Sequence, residues 1–360
     1  MDRPGPAPEG QPGRDRQPGR DRQPGGERLP SRERLPSRER RTGWGMGLTI
    51  GVDVGGTKVA AGVVDEHGHI IEKLKRFTPA ASPGGTIGVI ADVVNELLAR
   101  YDIDAVGIGA AGFVDQTRST VLFAPNLAWR DEPVKKQVEE RIGRPVVVEN
   151  DANAAAWAEA ELGAGRGLEH VLLITVGTGI GAGIVLDRRL YRGRFGSAGE
   201  PGHYRVVPDG RLCGCGNRGC WEQYASGSAL VAEARDFARR SPEAATRLLQ
   251  LGGGTAEGID GPAVTAAARE GDVGAVRCFD LVGAWLGAGL ADLAAILDPG
   301  CFVIGGGVSE AGDLLLKPAR LAYQNGLTGR THREFADVKL AELGPDAGLI
   351  GAAHLARNGG

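Results

Sequence analysis

The sequence predicts an α/β fold built from two related halves, and three observations carry that expectation. From Leu48 onward, apolar strand-like runs alternate with helix-periodic segments, the pattern of helices laid on a sheet. The run LTIGVDVGGTKVAAGVVD, residues 48–65, carries a glycine-rich turn, and VLLITVGTGIGAGIVLD, residues 171–187, repeats that design in the second half. A third strand with a glycine turn, CFVIGGGVS, fills residues 301–309.

Residues 1–45 stand apart from this pattern. GRDRQP occurs twice from Gly13, ERLPSR occurs twice from Glu27, and Pro, Gly and Arg dominate, a composition that predicts a solvated tail with no core of its own. Met46 directly precedes the first strand, so a natural start there, with the tail as extra translated sequence, is one reading. After the first run, a strand near 69–77 completes a hairpin. A helix is expected at 85–100, a strand at 105–108, a loop to Trp129, a helix ending at Ile142 and the strand PVVVEN at 145–150. In the second half, helices are expected over 227–250 and 262–297, and a short amphipathic helix over 347–357. The expected division is one domain of residues 46–163 plus 343–360 and a second of 164–342 that carries a cysteine-rich loop.

The 360 residues, 42% hydrophobic and 24% charged, suffice for sizeable cores. A net charge of -3 shows no basic excess for nucleic acid or an anionic membrane, so a small-molecule ligand is expected and neither of those partners. The apolar stretch 281–297 is interrupted by Asp292 and glycines and falls short of the roughly 20 residues that cross a bilayer, which makes it a buried helix. Five cysteines, three of them clustered, point to a metal site in a reducing cytoplasm rather than to a disulfide framework.

Four constellations carry chemistry. In Asp53-Val54-Gly55-Gly56-Thr57-Lys58, backbone N–H groups and the Thr57 hydroxyl can wrap a phosphate while Asp53 faces a metal ion, although a tight structural hairpin is the alternative. Together with the turns at 175–183 and 305–307, this run resembles the phosphate and adenosine motifs of the actin-like ATPase fold, also called ribonuclease H-like. That resemblance implies two α/β domains with nucleotide in the cleft between them. In Glu149-Asn150-Asp151, the aspartate is either a helix cap or a general base at a cleft floor. His203, Cys213, Cys215 and Cys220 supply one imidazole and three thiolates, the donor set of a tetrahedral structural zinc site.

Glu200-Pro201-Gly202-His203, followed by CGCGNRGCWE at 213–222, resembles the signature of the ROK family of repressors and sugar kinases. Residues 110–129 further resemble glucokinases of high-GC Gram-positive bacteria. The resemblance implies ATP with Mg²⁺ as phosphoryl donor, structural Zn²⁺ and glucose or a related hexose as acceptor, in a homo-oligomer, dimer or tetramer. It implies Asp151 as base and Asn126, Asn150, Glu200, His203 and Glu222 as sugar contacts. Around the nucleotide it implies Asp53, Gly55, Gly56, Thr57, Lys58, Thr178, Gly179, Gly305 and Gly306. A kinase for N-acetylglucosamine, N-acetylmannosamine or fructose is one rival reading. The other is a sugar-sensing repressor, for which residues 1–45 hold too much Pro and Gly to build a helix-turn-helix.

Overall fold

The computed structural model describes residues 47–358, and the readings of residues 1–45 and of Met46 lie outside the described residues. The first half opens with an antiparallel meander of β1 (Leu48–Val54), β2 (Lys58–Val64) and β3 (Ile70–Phe77). Helix α1 (Pro83–Leu98) starts where the Ser82 hydroxyl accepts the Gly85 N–H and Pro83 presets the first turn. Strand β4 (Ile103–Ala110) follows. The stretch expected to be loop up to Trp129 instead holds β5 (Phe113–Val114) and β6 (Val121–Phe123), which form a small antiparallel sheet with β7 (Arg130–Glu132), at the start of the segment expected to be helix. Strands of two or three residues are too short to show alternation. Helix α2 (Val134–Ile142), strand β8 (Val146–Asn150) and helix α3 (Asp151–Glu161) end the half.

The second half repeats the opening with β9 (Val171–Val176), β10 (Ile180–Leu186) and β11 (Arg189–Leu190). Two expected long helices are each divided. Residues 227–250 form α5 (Gly227–Arg240) and α6 (Thr246–Leu251) with Pro242 between them, preceded by the one-turn α4 (Glu222–Ala225). Residues 262–297 form α7 (Gly261–Arg269) and α8 (Val273–Leu297), separated at Gly271, whose φ of 85° ends one helix before Asp272 caps the next. Strand β12 (Cys301–Gly305), helix α9 (Asp313–Gly326), strand β13 (Asp337–Leu340) and helix α10 (Ala347–Arg357) complete the chain.

The two main sheets have the same plan. Their strand orders are β3-β2-β1-β4-β8 and β11-β10-β9-β12-β13, antiparallel on the hairpin side and parallel on the other. The helices that leave them cross over: α3, following the first sheet, packs on β9 and β10, while α10, following the second, packs on β1 and β4. Backbones approach closely there, and a Cβ on Gly107 of β4 would overlap the Ala352 carbonyl of α10. At the crossing of α3 and α10, Trp157 Nε1 donates to His354 Nδ1 at 2.8 Å. Among the described residues, α8 is the one helix long and apolar enough to cross a membrane, and its Phe279, Val282, Leu286 and Leu290 are fully buried in the core it shares with α9.

Candidate active site

Each glycine turn lies at the end of a strand whose interior is buried. The β1–β2 turn is closed by Gly55 N–H donating to the Lys58 carbonyl at 3.0 Å and is braced by Thr78 Oγ1 donating to the Gly55 carbonyl at 2.9 Å. The β9–β10 turn is closed by Gly177 N–H to the Gly179 carbonyl at 3.0 Å, and Gly227 N–H at the start of α5 holds the Gly177 carbonyl at 2.7 Å. The turn after β12 presses on the second one. Gly306 has φ 84°, and a Cβ there would lie 2.5 Å from the Val176 carbonyl oxygen, so only glycine fits.

Three cavities adjoin these turns. The first, about 660 Å³, is lined by Asn150, Asp151, Glu200, His203 and Glu222, with Phe113, Phe123 and Pro125 forming an apolar wall. The second, about 550 Å³, is lined by Asp53, Asp151, Thr175 and Gly305 to Gly307. The third, about 1140 Å³, is lined by Gly177, Thr178, Gly227, Ser228, Arg211 and Gly307. Asp151 therefore borders the first two cavities, and Gly307 borders the second and third.

The capping duty that the sequence left open for Asp151 belongs to Asn150, whose side-chain oxygen accepts the Asn153 N–H at 3.0 Å while its amide donates to the Gly112 carbonyl at 3.1 Å. Asp151 occupies the first helical position and accepts the neighbouring Ala152 N–H at 2.9 Å. Burial raises its carboxyl above the ordinary carboxylate range, against the pull of the N–H donors. Asp53 is pushed up to about 6, first by burial and then by the like charge of Asp151, with Lys73 opposing and Asp346 adding to the rise. Two carboxylates facing each other beside glycine turns suit a divalent cation carried with phosphates.

His203 Nδ1 and the sulfurs of Cys213, Cys215 and Cys220 all lie within 4.8 Å of one another. Cys215 and Cys220 sulfurs are 3.6 Å apart, as are the Cys213 sulfur and His203 Nδ1. Such separations are far too long for a disulfide and match the edges of a tetrahedron whose centre is about 2.3 Å from sulfur, so the residues fit zinc. Glu222 joins this cluster to the cleft: one carboxylate oxygen is 2.9 Å from the Cys213 sulfur, and the other accepts the Ile180 N–H at 3.4 Å beside the second turn.

Not every expected residue reaches a cavity. Lys58 lines a separate depression of about 190 Å³ with Lys75, Arg76 and Phe77. Asn126 is exposed and packs over Gly56, while its neighbour Pro125 borders the first cavity. Gly55, Gly56 and Thr57 form the turn beyond Asp53 and are not among the cavity walls. Conversely, sequence reasoning missed Thr175, Phe113 and Phe123. The aromatic pair sits in register across β5 and β6, inside the stretch expected to be loop. Thr175 could have been found by laying the second glycine run over the first, which sets it opposite Asp53.

The ROK family matches residues 49–359. A glucokinase of Streptomyces coelicolor is 55% identical over 312 residues, 87% of this chain and 98% of that protein. The crystal structure of a ROK family glucokinase from Streptomyces griseus in complex with glucose and AMPPNP is similar at TM-score 0.78 and 56% identity, covering 86% of this chain and 99% of that one. The xylose repressor of Bacillus subtilis is 26% identical over 314 residues, 86% of this chain and 77% of the repressor. The repeated sheets, with these likenesses, are the two-domain actin-like ATPase fold.

Proposed function

The chain belongs to the ROK family, and from that footing we propose that it is a glucokinase, moving the γ-phosphoryl group of ATP to the 6-hydroxyl of glucose. The observation that carries this reading is Asp151, a single carboxylate of raised pKa in the wall shared by a cavity of hydroxyl-binding groups and a cavity of glycine turns. The Streptomyces griseus complex with glucose and AMPPNP supports the same pairing of acceptor and donor.

Asn150, Glu200, His203 and Glu222 hold the sugar hydroxyls in the first cavity. Asp151 accepts the 6-hydroxyl proton as that oxygen attacks the γ-phosphorus, and ADP leaves in line, so no phosphoenzyme forms. The turn of Gly55, Gly56, Thr57 and Lys58 and the pair Thr178 and Gly179 flank the phosphates, while Gly305 and Gly306 allow close approach on the adenosine side. Asp53 would face Mg²⁺, which when bound would neutralise charge on the phosphates. His203, Cys213, Cys215 and Cys220 would hold zinc, whose binding would pin the loop that carries His203 and Glu222. Asn126 reaches the sugar only if its turn moves as the body of residues 46–163 and 343–360 closes on that of 164–342. Such closure also keeps water from the phosphoryl group. We assign the enzyme to the cytoplasm, where its unpaired cysteines stay reduced, as a dimer or tetramer.

A coupled assay against a panel of hexoses, with ATP and with polyphosphate as donors, tests the reading. Glucose with ATP is expected to give the highest kcat/KM. Preference for N-acetylmannosamine, N-acetylglucosamine or fructose would move the substrate, and no turnover with any hexose would overturn the kinase.

A further inference from the structure

Behind the first cavity lies a buried charge cluster that the phosphoryl transfer does not use. Glu149, 1% exposed at the end of β8, accepts Arg192 Nε on Oε1 at 3.1 Å, and its Oε2 forms ion pairs with Arg192 Nε at 2.9 Å and Arg118 Nε at 3.0 Å. Oε1 also accepts the Asn150 N–H at 2.9 Å and Asn153 Nδ2 at 3.1 Å. Arg192, 9% exposed, spends the rest of its guanidinium on backbone: Nη1 donates to the Gln116 carbonyl at 3.0 Å and Nη2 to the Asp115 carbonyl at 2.9 Å. Neither Arg192 nor Glu149 borders any of the three cavities.

The segments joined here come from both halves. Arg192 leaves β11 of the second sheet and begins the loop that delivers Glu200 and His203. Residues 114–116 follow Phe113 of the aromatic wall, and Glu149 precedes Asn150 and Asp151. The backbones meet as well, because Gly196 has φ 84° and a Cβ there would lie 2.6 Å from the Val114 carbonyl oxygen. One guanidinium fork thus fixes three walls of the sugar cavity relative to one another, a duty for which the planar five-donor group of arginine is suited and lysine is not.

We propose that Arg192, through Glu149 and the carbonyls of 115–116, is a positioning residue that sets the spacing of Phe113, Asp151 and Glu200 around the sugar. This rests on the sugar-kinase reading above. A buried ion pair that served stability alone would, when altered, lower the melting temperature and leave the constants of the folded fraction unchanged. A positioning role separates the two substrates, because among the described residues the hydrogen bonds and ion pairs of Arg192 and Glu149 do not reach the turns at 55–58, 177–179 and 305–307.

The test is steady-state kinetics on Arg192→Lys, run well below its melting temperature, with glucose and ATP varied in turn. The expected result is a KM for glucose raised about tenfold or more, from a misplacement of the walls of about an ångström, with the KM for ATP within about twofold. Arg192→Ala is expected to regain part of its glucose affinity when guanidinium is added at millimolar concentration. Should both variants fail to fold, Gly196→Ala pushes the same loop off the Val114 carbonyl without removing a charge, and the same split is expected. Unchanged constants with a lower melting temperature, or equal rises in both KM values, would overturn the proposal. A wild-type protein that phosphorylates no hexose fells the kinase reading and this inference with it. A wild type that does so, with variants that match it, fells this inference alone.

Discussion

The two halves repeat one architecture and divide the chemistry unequally. β1 corresponds to β9 and β2 to β10, each pair enclosing a glycine turn, and at the matching place two residues before the turn the first half has Asp53 and the second has Thr175. Both line the second cavity, yet one brings a negative charge strained by Asp151 and the other a neutral hydroxyl. The first half thus supplies both carboxylates, while the second contributes neutral turns and, between β11 and α5, the cysteine-rich loop. Symmetry of backbone serves to bring two turns to one cleft. Asymmetry of side chain decides which turn can take a cation and which can lie against phosphate or sugar.

Removing the proposed proton acceptor is expected to break this division most severely. Asp151→Asn keeps the shape and loses the base, so kcat is expected to fall by about 10² to 10⁴ with the glucose KM changed far less, measured by the coupled assay. Near-wild-type turnover would take the base away from the first half. The matched pair gives the next largest contrast. Asp53→Asn is expected to cost roughly 10² in kcat/KM for ATP, through lost cation binding, and Thr175→Val less than about tenfold. Asp53→Asn should also raise the melting temperature, because it removes a charge that burial and Asp151 both oppose; a lower one would show that the carboxylate is stabilised by a partner.

The cysteine-rich loop sharpens the comparison from the other side. Elemental analysis is expected to return about one zinc per chain. Cys215→Ser should lose it and raise the glucose KM by about tenfold or more, with no global unfolding, since both sheets have their own apolar cores. Arg211 lies in that same loop and borders the cavity of Thr178, so a smaller rise in the ATP KM is expected as well. A variant without metal and with unchanged glucose dependence would sever zinc from sugar recognition.

What could be read from the sequence follows a physical divide. The glycine turns, Asp151 and the His203 cluster were legible because each is a short run whose residue types have few other uses: strand-end glycines, and thiols in a polar loop. The aromatic wall of Phe113 and Phe123 was not, since its strands are too short to alternate, and neither was the contact of Arg192 with Glu149, which joins residues 43 apart in the chain. Lys58 shows how far a motif carries: it starts β2 two residues before Ala60, the register partner of Asp53, yet its side chain lines a separate depression with Lys75, Arg76 and Phe77.

The smallest expected effect concerns the crossing of α3 and α10, where the halves exchange helices. His354, 5% exposed, is held neutral: burial first, and then the nearby Arg357, lower its pKa from 6.5 to about 4. Its Nδ1 accepts the Trp157 indole N–H at 2.8 Å, which needs that nitrogen unprotonated. In the unfolded chain the imidazole takes a proton below about 6.5, while in the folded chain it does not until about 4, so the unfolded state binds more protons between those values. Stability from this group is therefore complete above pH 6.5 and is lost as pH falls toward 4, by at most roughly 3 kcal/mol. Asp53 acts in the opposite sense below about 6, which is why wild type must be compared with a variant rather than read alone. His354→Gln keeps an acceptor for Trp157 and cannot titrate. Denaturant unfolding at pH 7.5 and pH 5 should show a larger loss on acidification for the wild type than for the variant. Equal losses would mean that the helix crossing tolerates the imidazolium, and that the two halves are joined there by packing alone.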